Sequence, residues 1–245
     1  AISDKMPESG FSFNVMASPK VALNLDLRFL FIGVTCGTEI QSSASISKDL
    51  FDFLGKGNEL NQKLNISTSF DTDAYLYVDA TVGFSIKKFK IRVTPAVFAP
   101  VLHAELGKSS LTLQNTEEGS FLFDMDSSLD IYSPLSASNL ETIANGPIEY
   151  TKFFDSLGFD LAGSVQFNIF KGIDVSGYVR VPIVPATLTN KVSTNVTLAG
   201  EINPMDLVSG AEMPDFTPEF SPFTNYESDY KLSRPLKLMA GLNWS

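Results

Sequence analysis

Candidate catalytic chemistry is concentrated at the only histidine of the chain, His103, which stands two residues before Glu105. A histidine beside a carboxylate can act as a general acid or base, or as a metal ligand. The sequence offers no second histidine and no Gly-x-Ser-x-Gly segment that would place a nucleophilic serine on a sharp turn. His103 is therefore predicted to be a structural residue, no catalytic residue is assigned, and the protein is not predicted to be an enzyme.

Two groups of carboxylates have the spacing of one strand face. They consist of Asp71, Asp73 and Asp79, and of Asp124, Asp126 and Asp130. Such rows can bind Ca²⁺ weakly or favour cations in a lumen, but a solvated acidic face is the commoner meaning, and neither row has the spacing of an EF-hand. With one cysteine (Cys36) and one histidine, the chain also lacks the ligands of a Cys/His zinc site and any intrachain disulfide. No metal and no cofactor are predicted.

The charge balance excludes one class of partner. The 245 residues carry 18 Lys and Arg against 28 Asp and Glu, for a net charge of −10. Nucleic acids are bound through basic stripes, and none is present, so no nucleic-acid partner is expected. The chain has no run of 18 apolar residues either, and it begins at Ala1, which suggests a removed leader or an excised fragment.

The secondary-structure elements that position these residues are predicted from the alternation of apolar and polar residues. A period of two residues places successive side chains on opposite faces of a strand. One run, 21–31, has apolar odd positions and is interpreted as a single strand of 11 residues. Similar alternation begins at Phe121, Phe159, Ile173, Val192 and Leu236. Because a helix cannot segregate side chains spaced two apart, these runs are predicted to be strands, about ten in all.

The connections between strands are either very short or long. Tight turns are predicted at Ser18-Pro19, Lys87-Lys88 and Lys171-Gly172, and longer connections at 41–64, 133–157 and 203–229. The first long connection holds an amphipathic helix over 48–54, capped by Ser47 and ended by a glycine-rich stretch. Residues 139–157 contain a second apolar series, and the third connection is proline-rich. No boundary resembles a linker, so residues 1–245 are predicted to form one domain.

Strand length favours a membrane barrel over a soluble sandwich. A strand of 11 residues tilted by about 45° rises roughly 25 Å, the height of a lipid-facing band, whereas sandwich strands average about five or six residues. The fold class is therefore all-β, an antiparallel up-and-down β-barrel with short helices in long loops. The lumen-lining candidates are Asp26, Arg28, Asp124, Asp126, Asp130, Asp160, Asp174, Arg180 and Glu201. The lipid-facing candidates are Leu23, Leu25, Leu27, Phe29, Phe121 and Phe123.

Two stretches resemble a known family. Residues 31–39 (FIGVTCGTE) are followed by 46–58 (ISKDLFDFLGKGN), and the combination is similar to uncharacterised outer-membrane β-barrel proteins of spirochaetes (Treponema) and Bacteroidetes. In that family a long amphipathic strand precedes a short Asp-Leu-Leu helix that ends in Gly-Asn, and the style is that of long-chain fatty-acid transporters. The resemblance implies no ligand residues. Such barrels usually end on an aromatic residue, whereas Trp244 is penultimate here, so the N-terminal part of a larger barrel is a second possibility.

These observations predict a protein of the bacterial outer membrane, a pore or transporter for a small or hydrophobic solute, with outer-membrane lipid and such a solute as partners. The alternative is a soluble secreted or periplasmic β-sandwich that serves as a binding or structural module. The polar residues that alternate with the apolar ones along the strands include slightly more acids than bases. If the lumen is open, this excess predicts a mild preference for cations.

Overall fold

The computed structural model describes residues 5–57, 59–136, 150–170, 172–203 and 217–244. Thirteen strands pair antiparallel in a single sheet, which confirms the all-β antiparallel class. The strands are β1 (Phe11–Ala17), β2 (Lys20–Asp26), β3 (Leu30–Ile46), β4 (Lys63–Ile66), β5 (Thr68–Ile86), β6 (Phe89–Asn115), β7 (Phe121–Ser133), β8 (Gly158–Phe170), β9 (Ile173–Val184), β10 (Ala186–Ile202), β11 (Glu219–Phe220), β12 (Thr224–Leu232) and β13 (Lys237–Trp244). An α-helix, α1 (Lys48–Lys56), and a 3-10 helix (Tyr150–Phe154) complete the elements.

Several of the thirteen strands lie end to end, so the sheet consists of seven long strands. These long strands follow one another across the sheet in chain order. In that order the long strands are β1–β2, β3, β4–β5, β6, β7–β8, β9–β10 and β11–β13. Where a long strand is interrupted, the pairing with the neighbouring strand resumes in the same register after the break. The exceptions are bulges and the insertion of 134–157 between β7 and β8. The result is an up-and-down meander.

The predicted turns have three different outcomes. Lys87-Lys88 forms a two-residue hairpin between β5 and β6, with Lys87 at φ 55°. Gly172 takes φ 93° in the hairpin between β8 and β9, while Lys171 lies outside the described residues. The Ser18-Pro19 prediction was wrong, because β1 and β2 both pair with β3 in one continuous register. Pro19 interrupts a long strand at the edge of the sheet, where a missing N–H donor is tolerated.

A hairpin that the sequence analysis missed divides the run 21–31. β2 ends at Asp26, the backbone groups of Leu27 and Leu30 bond to each other, and β3 begins at Leu30. The interpretation of 21–31 as one strand was therefore wrong. The sequence carries a signal for this turn: apolar residues occupy odd positions up to Leu27 and even positions from Leu30, which is the phase shift that a two-residue turn produces.

The helix α1 forms as predicted and extends two residues further, to Lys56. Ser47 is at the N-cap position, but its hydroxyl makes no cap hydrogen bond and donates to Asp49 Oδ2 instead. Gly57 ends the helix at φ 76°, a backbone conformation that favours glycine. Phe53 of α1 contacts Phe121 edge to face, with ring centroids 5.8 Å apart. Of the other predicted connections, 139–149 and 204–216 lie outside the described residues, and part of 203–229 belongs to β11 and β12.

The two faces of the sheet differ in chemistry. One face carries exposed apolar side chains on all seven long strands, and we call this set the apolar band. Its members are Val21, Leu23, Leu25, Ile32, Val34, Val78, Val82, Phe84, Ile86, Phe89, Ile91, Val93, Val97, Leu161, Val165, Val175, Val179, Val181, Leu238, Leu242 and Trp244. The opposite, polar face carries threonine, serine, tyrosine and charged residues. Towards the other end of the strands, the apolar side is covered only in part, by α1 and by Leu135 and Phe153, which pack on Ala99, while Phe11, Phe13 and Val15 are exposed.

The sheet curls strongly, with the polar face on the concave side. Glu39 of the second long strand and Arg180 of the sixth are four strand spacings apart, about 19 Å in a flat sheet. Their side chains nevertheless meet with the guanidinium and carboxylate atoms 2.8 Å apart. The two outer edges also approach each other, because Lys237 Nζ lies 3.8 Å from Met16 Sδ.

Candidate functional site

The most unusual feature of the concave side is a buried network of five charged residues. Arg180 binds Glu39 through two parallel hydrogen bonds, from Nη1 to Oε2 at 2.8 Å and from Nη2 to Oε1 at 2.9 Å. Arg234 donates from Nη2 to Glu39 Oε2 and from Nη1 to Asp160 Oδ2, both at 2.9 Å. Asp79 lies further out, with Oδ1 at 3.6 Å from Arg234 Nη1.

Each member of this network comes from a different part of the meander. Glu39 is on β3, Asp79 on β5, Asp160 on β8 and Arg180 on β9. Arg234 belongs to the irregular link between β12 and β13, where Pro235 follows it and the Pro235 carbonyl accepts hydrogen bonds from Arg180 at 3.3 and 3.4 Å. The network thus ties the second long strand to the seventh, which lie near opposite edges of the sheet.

The network is almost completely shielded from solvent. Asp160 is 0% exposed, Glu39 and Arg234 2%, and Arg180 4%. The Arg234 guanidinium lies over the Tyr77 ring at 4.4 Å, and Tyr75, Phe98, Leu188 and Leu232 form the apolar cluster beside it. The charged network and the apolar cluster are thus buried side by side at this level of the concave side.

A second cluster lies beyond the network, toward the end of the sheet that carries α1. His103 Nδ1 is 2.6 Å from Asp73 Oδ1, and the His103 ring stacks on Tyr230 with centroids 4.4 Å apart. Tyr132 completes the aromatic group, and Lys191 forms an ion pair with Asp130 at 2.9 Å. The His103 ring is thus held between Asp73 and Tyr230, and Glu105 Oε2 lies 3.5 Å from its Nε2. The structural role of His103 stays a prediction.

The predicted lumen residues fall into separate places. Asp160 and Arg180 belong to the buried network, and Asp130 to the second cluster. Asp174 accepts hydrogen bonds from Gln166 and Asn168. Asp124, Asp126 and Glu201 are exposed on β7 and β10, and Asp26 is exposed at the end of β2. Arg28 lies in the β2–β3 turn rather than on a strand face, so its assignment to a lumen wall is corrected.

The predicted lipid-facing residues divide into two groups. Leu23, Leu25, Leu27 and Phe29 are exposed at 78, 55, 43 and 64% of their surface, although Leu27 and Phe29 belong to the turn. Phe121 and Phe123 are half-buried, and Phe121 is covered by Phe53 of α1. Phe31, which the alternation grouped with Leu25, is on the polar face, where the Arg92 guanidinium lies 4.3 Å above its ring.

Sequence reasoning missed two central residues of the network, Glu39 and Arg234. Each had a weak signal. Glu39 is the only charged residue of β3, and it interrupts a stretch of small and polar side chains, while Arg234 precedes Pro235 between two alternating runs. Neither signal identifies a partner, because the pair is separated by 195 residues.

No group of three or more His, Cys, Asp or Glu side chains in the described ranges is arranged to hold a metal ion. In the same ranges no helix is both long and apolar enough to cross a lipid bilayer. In the comparisons with known proteins, no family model, no curated protein and no solved structure matches this chain.

Proposed function

We propose that this chain forms a β-barrel of the bacterial outer membrane that binds or admits a small or hydrophobic solute. The observation that carries the proposal is the apolar band, which crosses all seven long strands and is exposed throughout. Soluble monomers rarely expose a contiguous apolar surface of more than a few hundred Å², and a larger one marks a contact with another apolar phase.

The dimensions of the apolar band agree with a lipid bilayer. On β5 it extends from Val78 to Ile86, and on β6 from Phe89 to Val97, nine positions on each strand. At about 3.3 Å per residue and a tilt near 45°, this corresponds to a height of roughly 20 Å, close to the band of about 25 Å in outer-membrane barrels.

Protein cover on the apolar side is local. The helix α1 and the 150–154 helix cover Phe121 and Ala99, whereas Phe11, Phe13 and Val15 on the same face stay exposed. In the proposed barrel the lipid acyl chains cover the apolar band. The curl of the sheet and the Met16–Lys237 contact support closure of the meander into a barrel.

The buried charged network limits how the proposed barrel can act on its solute. Glu39, Arg180, Arg234 and the neighbouring aromatic side chains are buried together across the concave side, which favours a closed interior over a permanently open pore. We therefore favour a barrel in which a solute binds on one side of the charged network, rather than a wide diffusion channel. The single sheet is a poor match for the alternative, since a sandwich consists of two packed sheets.

The test is insertion into a bilayer. The chain is refolded in the presence of phosphatidylcholine vesicles, which are then floated on a density gradient and treated with protease. A barrel is expected to float with the vesicles, to resist the protease over its strands, and to migrate differently on gels before and after heating. A chain that is folded and monodisperse without detergent and that does not float would overturn the proposal.

A further inference from the structure

We propose that a cavity at the end of the concave side that carries the β5–β6 and β8–β9 hairpins binds a small anion with a carboxylate or phosphate group. The cavity has a volume of about 260 Å³ and is separate from both the buried network and the histidine cluster. The inference rests on the proposed function and names the class of solute that the protein takes up.

The cavity is built from the polar-face positions of four adjoining strands. Arg92 of β6 pairs with Ser164 of β8, which pairs with Tyr178 of β9, and Tyr178 in turn faces Met239 of β13. One step along the strands, Lys90, Gln166 and Ser176 form the next row. Gly241 gives the row its space, since a Cβ atom there would lie 2.6 Å from Ser176 Oγ.

Two cations line this cavity without a carboxylate partner among the described residues. Arg92 is half-buried, its guanidinium lies 4.3 Å from the centroid of the Phe31 ring, and its side chain makes no hydrogen bond or ion pair among the described residues, which leaves its N–H donors available. Lys90 is exposed beside it. The nearby carboxylate of Asp174 already accepts from Gln166 Nε2 at 3.1 Å and from Asn168 Nδ2 at 2.8 Å. By contrast, Arg180 and Arg234 of the network are neutralised by carboxylates.

These groups fit an oxyanion. A guanidinium presents a planar fork that matches the two oxygens of a carboxylate or phosphate, and a lysine ammonium adds a point charge. The hydroxyls of Ser164, Ser176 and Tyr178 can donate further hydrogen bonds around the ligand. The volume is slightly below the range of about 300–1,000 Å³ that holds drug-sized molecules, so the ligand is compact.

The experiment measures binding of inorganic phosphate by titration calorimetry to the chain refolded in uncharged detergent micelles. Wild type is expected to bind saturably, and Arg92→Gln and Lys90→Gln are each expected to weaken binding by about tenfold or more, because each removes a charged hydrogen-bond donor. Lys87→Gln is the matched control. It removes one positive charge from the neighbouring hairpin, outside the cavity, and is expected to leave the affinity unchanged.

Shape is tested separately from charge with Gly241→Val, which fills the cavity and is expected to reduce binding as strongly as the loss of Arg92. The heat-dependent gel shift verifies that each variant is folded. A folded wild type that does not bind phosphate would overturn the site, and so would equal losses in Lys87→Gln and Arg92→Gln.

A third experiment distinguishes a soluble anion from a lipid headgroup as the ligand of the cavity. Micelles doped with phosphatidylglycerol, in phosphate-free buffer, show whether a lipid headgroup competes. Occupation by that lipid alone, with no effect of free phosphate, would overturn the proposal of a soluble anion. Vesicle flotation is read independently, so a chain that fails to insert contradicts the proposed function, whereas an inserted chain that fails to bind phosphate contradicts only this site.

Discussion

At the scale of single residues, Glu39 is the side chain that holds the interior together, since it accepts hydrogen bonds from both arginines of the network. The network contains three carboxylates and two guanidiniums, so it has one acid in excess. Asp160 Oδ1 and Arg234 Nε have no hydrogen-bond partner in the described chain. Glu39 and Asp79 should therefore differ greatly in importance, although both are carboxylates on the concave side.

Glu39→Gln is expected to lower the free energy of unfolding by about 3–5 kcal/mol, because it leaves two buried guanidiniums with one carboxylate within hydrogen-bond distance. Asp79→Asn is expected to cost less than about 1 kcal/mol, because it removes the excess negative charge at a distance of 3.6 Å. Urea titration of the vesicle-inserted protein measures both. Similar costs for the two variants would contradict this account of the network.

The depth of a residue in the apolar band determines its sensitivity to charge. Val82 is about midway along β5 within the band, whereas Leu25 is two residues from the β2–β3 turn. Val82→Arg is therefore expected to cost about 2–4 kcal/mol and Leu25→Arg about 1 kcal/mol or less, since a charge near the interface reaches water. Asp26→Asn, at the exposed end of β2, serves as the mild control. Equal tolerance of arginine at Val82 and at an exposed polar position such as Thr197 would contradict a lipid-facing band.

At the scale of elements, α1 depends on tertiary contact. A helix of nine residues is marginal by itself in water, and Phe53 provides its buried anchor with 7% exposure. Its attachment to the end of β7 explains why Phe121 is covered while most of the apolar band is not.

Phe53→Ala is expected to remove about 3–5 kcal/mol of packing, which exceeds the stability of so short a helix, and so to release α1 from the sheet. Limited proteolysis of the vesicle-bound protein would then cut within 47–57, while the strands stay protected. Lys56→Ala, on an exposed position of the same helix, is the control and should leave the cleavage pattern unchanged. Resistance of the Phe53 variant would show that other contacts hold the helix.

The β2–β3 turn is the element that was predicted least well, and the reason is physical. Leu27 and Phe29 are apolar although they belong to the turn, so they continue the alternation past the end of the strand. In the proposed barrel this turn lies at the rim of the membrane, where apolar residues are tolerated. Polar residues and glycine mark most turns, as Lys87-Lys88 and Gly172 do in the other two hairpins at this end of the sheet. In the β2–β3 turn Arg28 is flanked by two apolar residues instead, so the local signal is weak.

At the scale of the whole molecule, the packed interior determines permeability. Vesicles containing the wild-type chain are expected to retain sucrose, because the buried side chains around the network are expected to block the interior. Light scattering after an osmotic shock measures the leak, with empty vesicles and a known open porin as references. Swelling at the rate of the open porin would contradict a closed interior.

Charges of both signs lie at each end of the concave side. Asp71, Asp73 and Glu105 lie near the histidine cluster together with Lys191, whereas Lys90 and Arg92 line the cavity at the opposite end beside Asp174. The mild cation preference expected from the sequence applies only to an open lumen and stays a prediction. If the vesicles swell in sucrose, reversal potentials across a planar bilayer under a salt gradient would test this preference.

The sequence by itself determined the two faces of most strands, because alternation of side chains is a property of each strand and needs no partner, but it placed Phe31 on the wrong face. It also determined the helix α1 and the Lys87-Lys88 hairpin, whose signals are local. Only the tertiary structure decided which strands are collinear, that Pro19 interrupts a strand rather than turning it, and that Glu39 meets Arg180 and Arg234. The curl of the sheet brings these distant residues together. That curl is the sum of small twists over seven long strands, so no local stretch of sequence contains it.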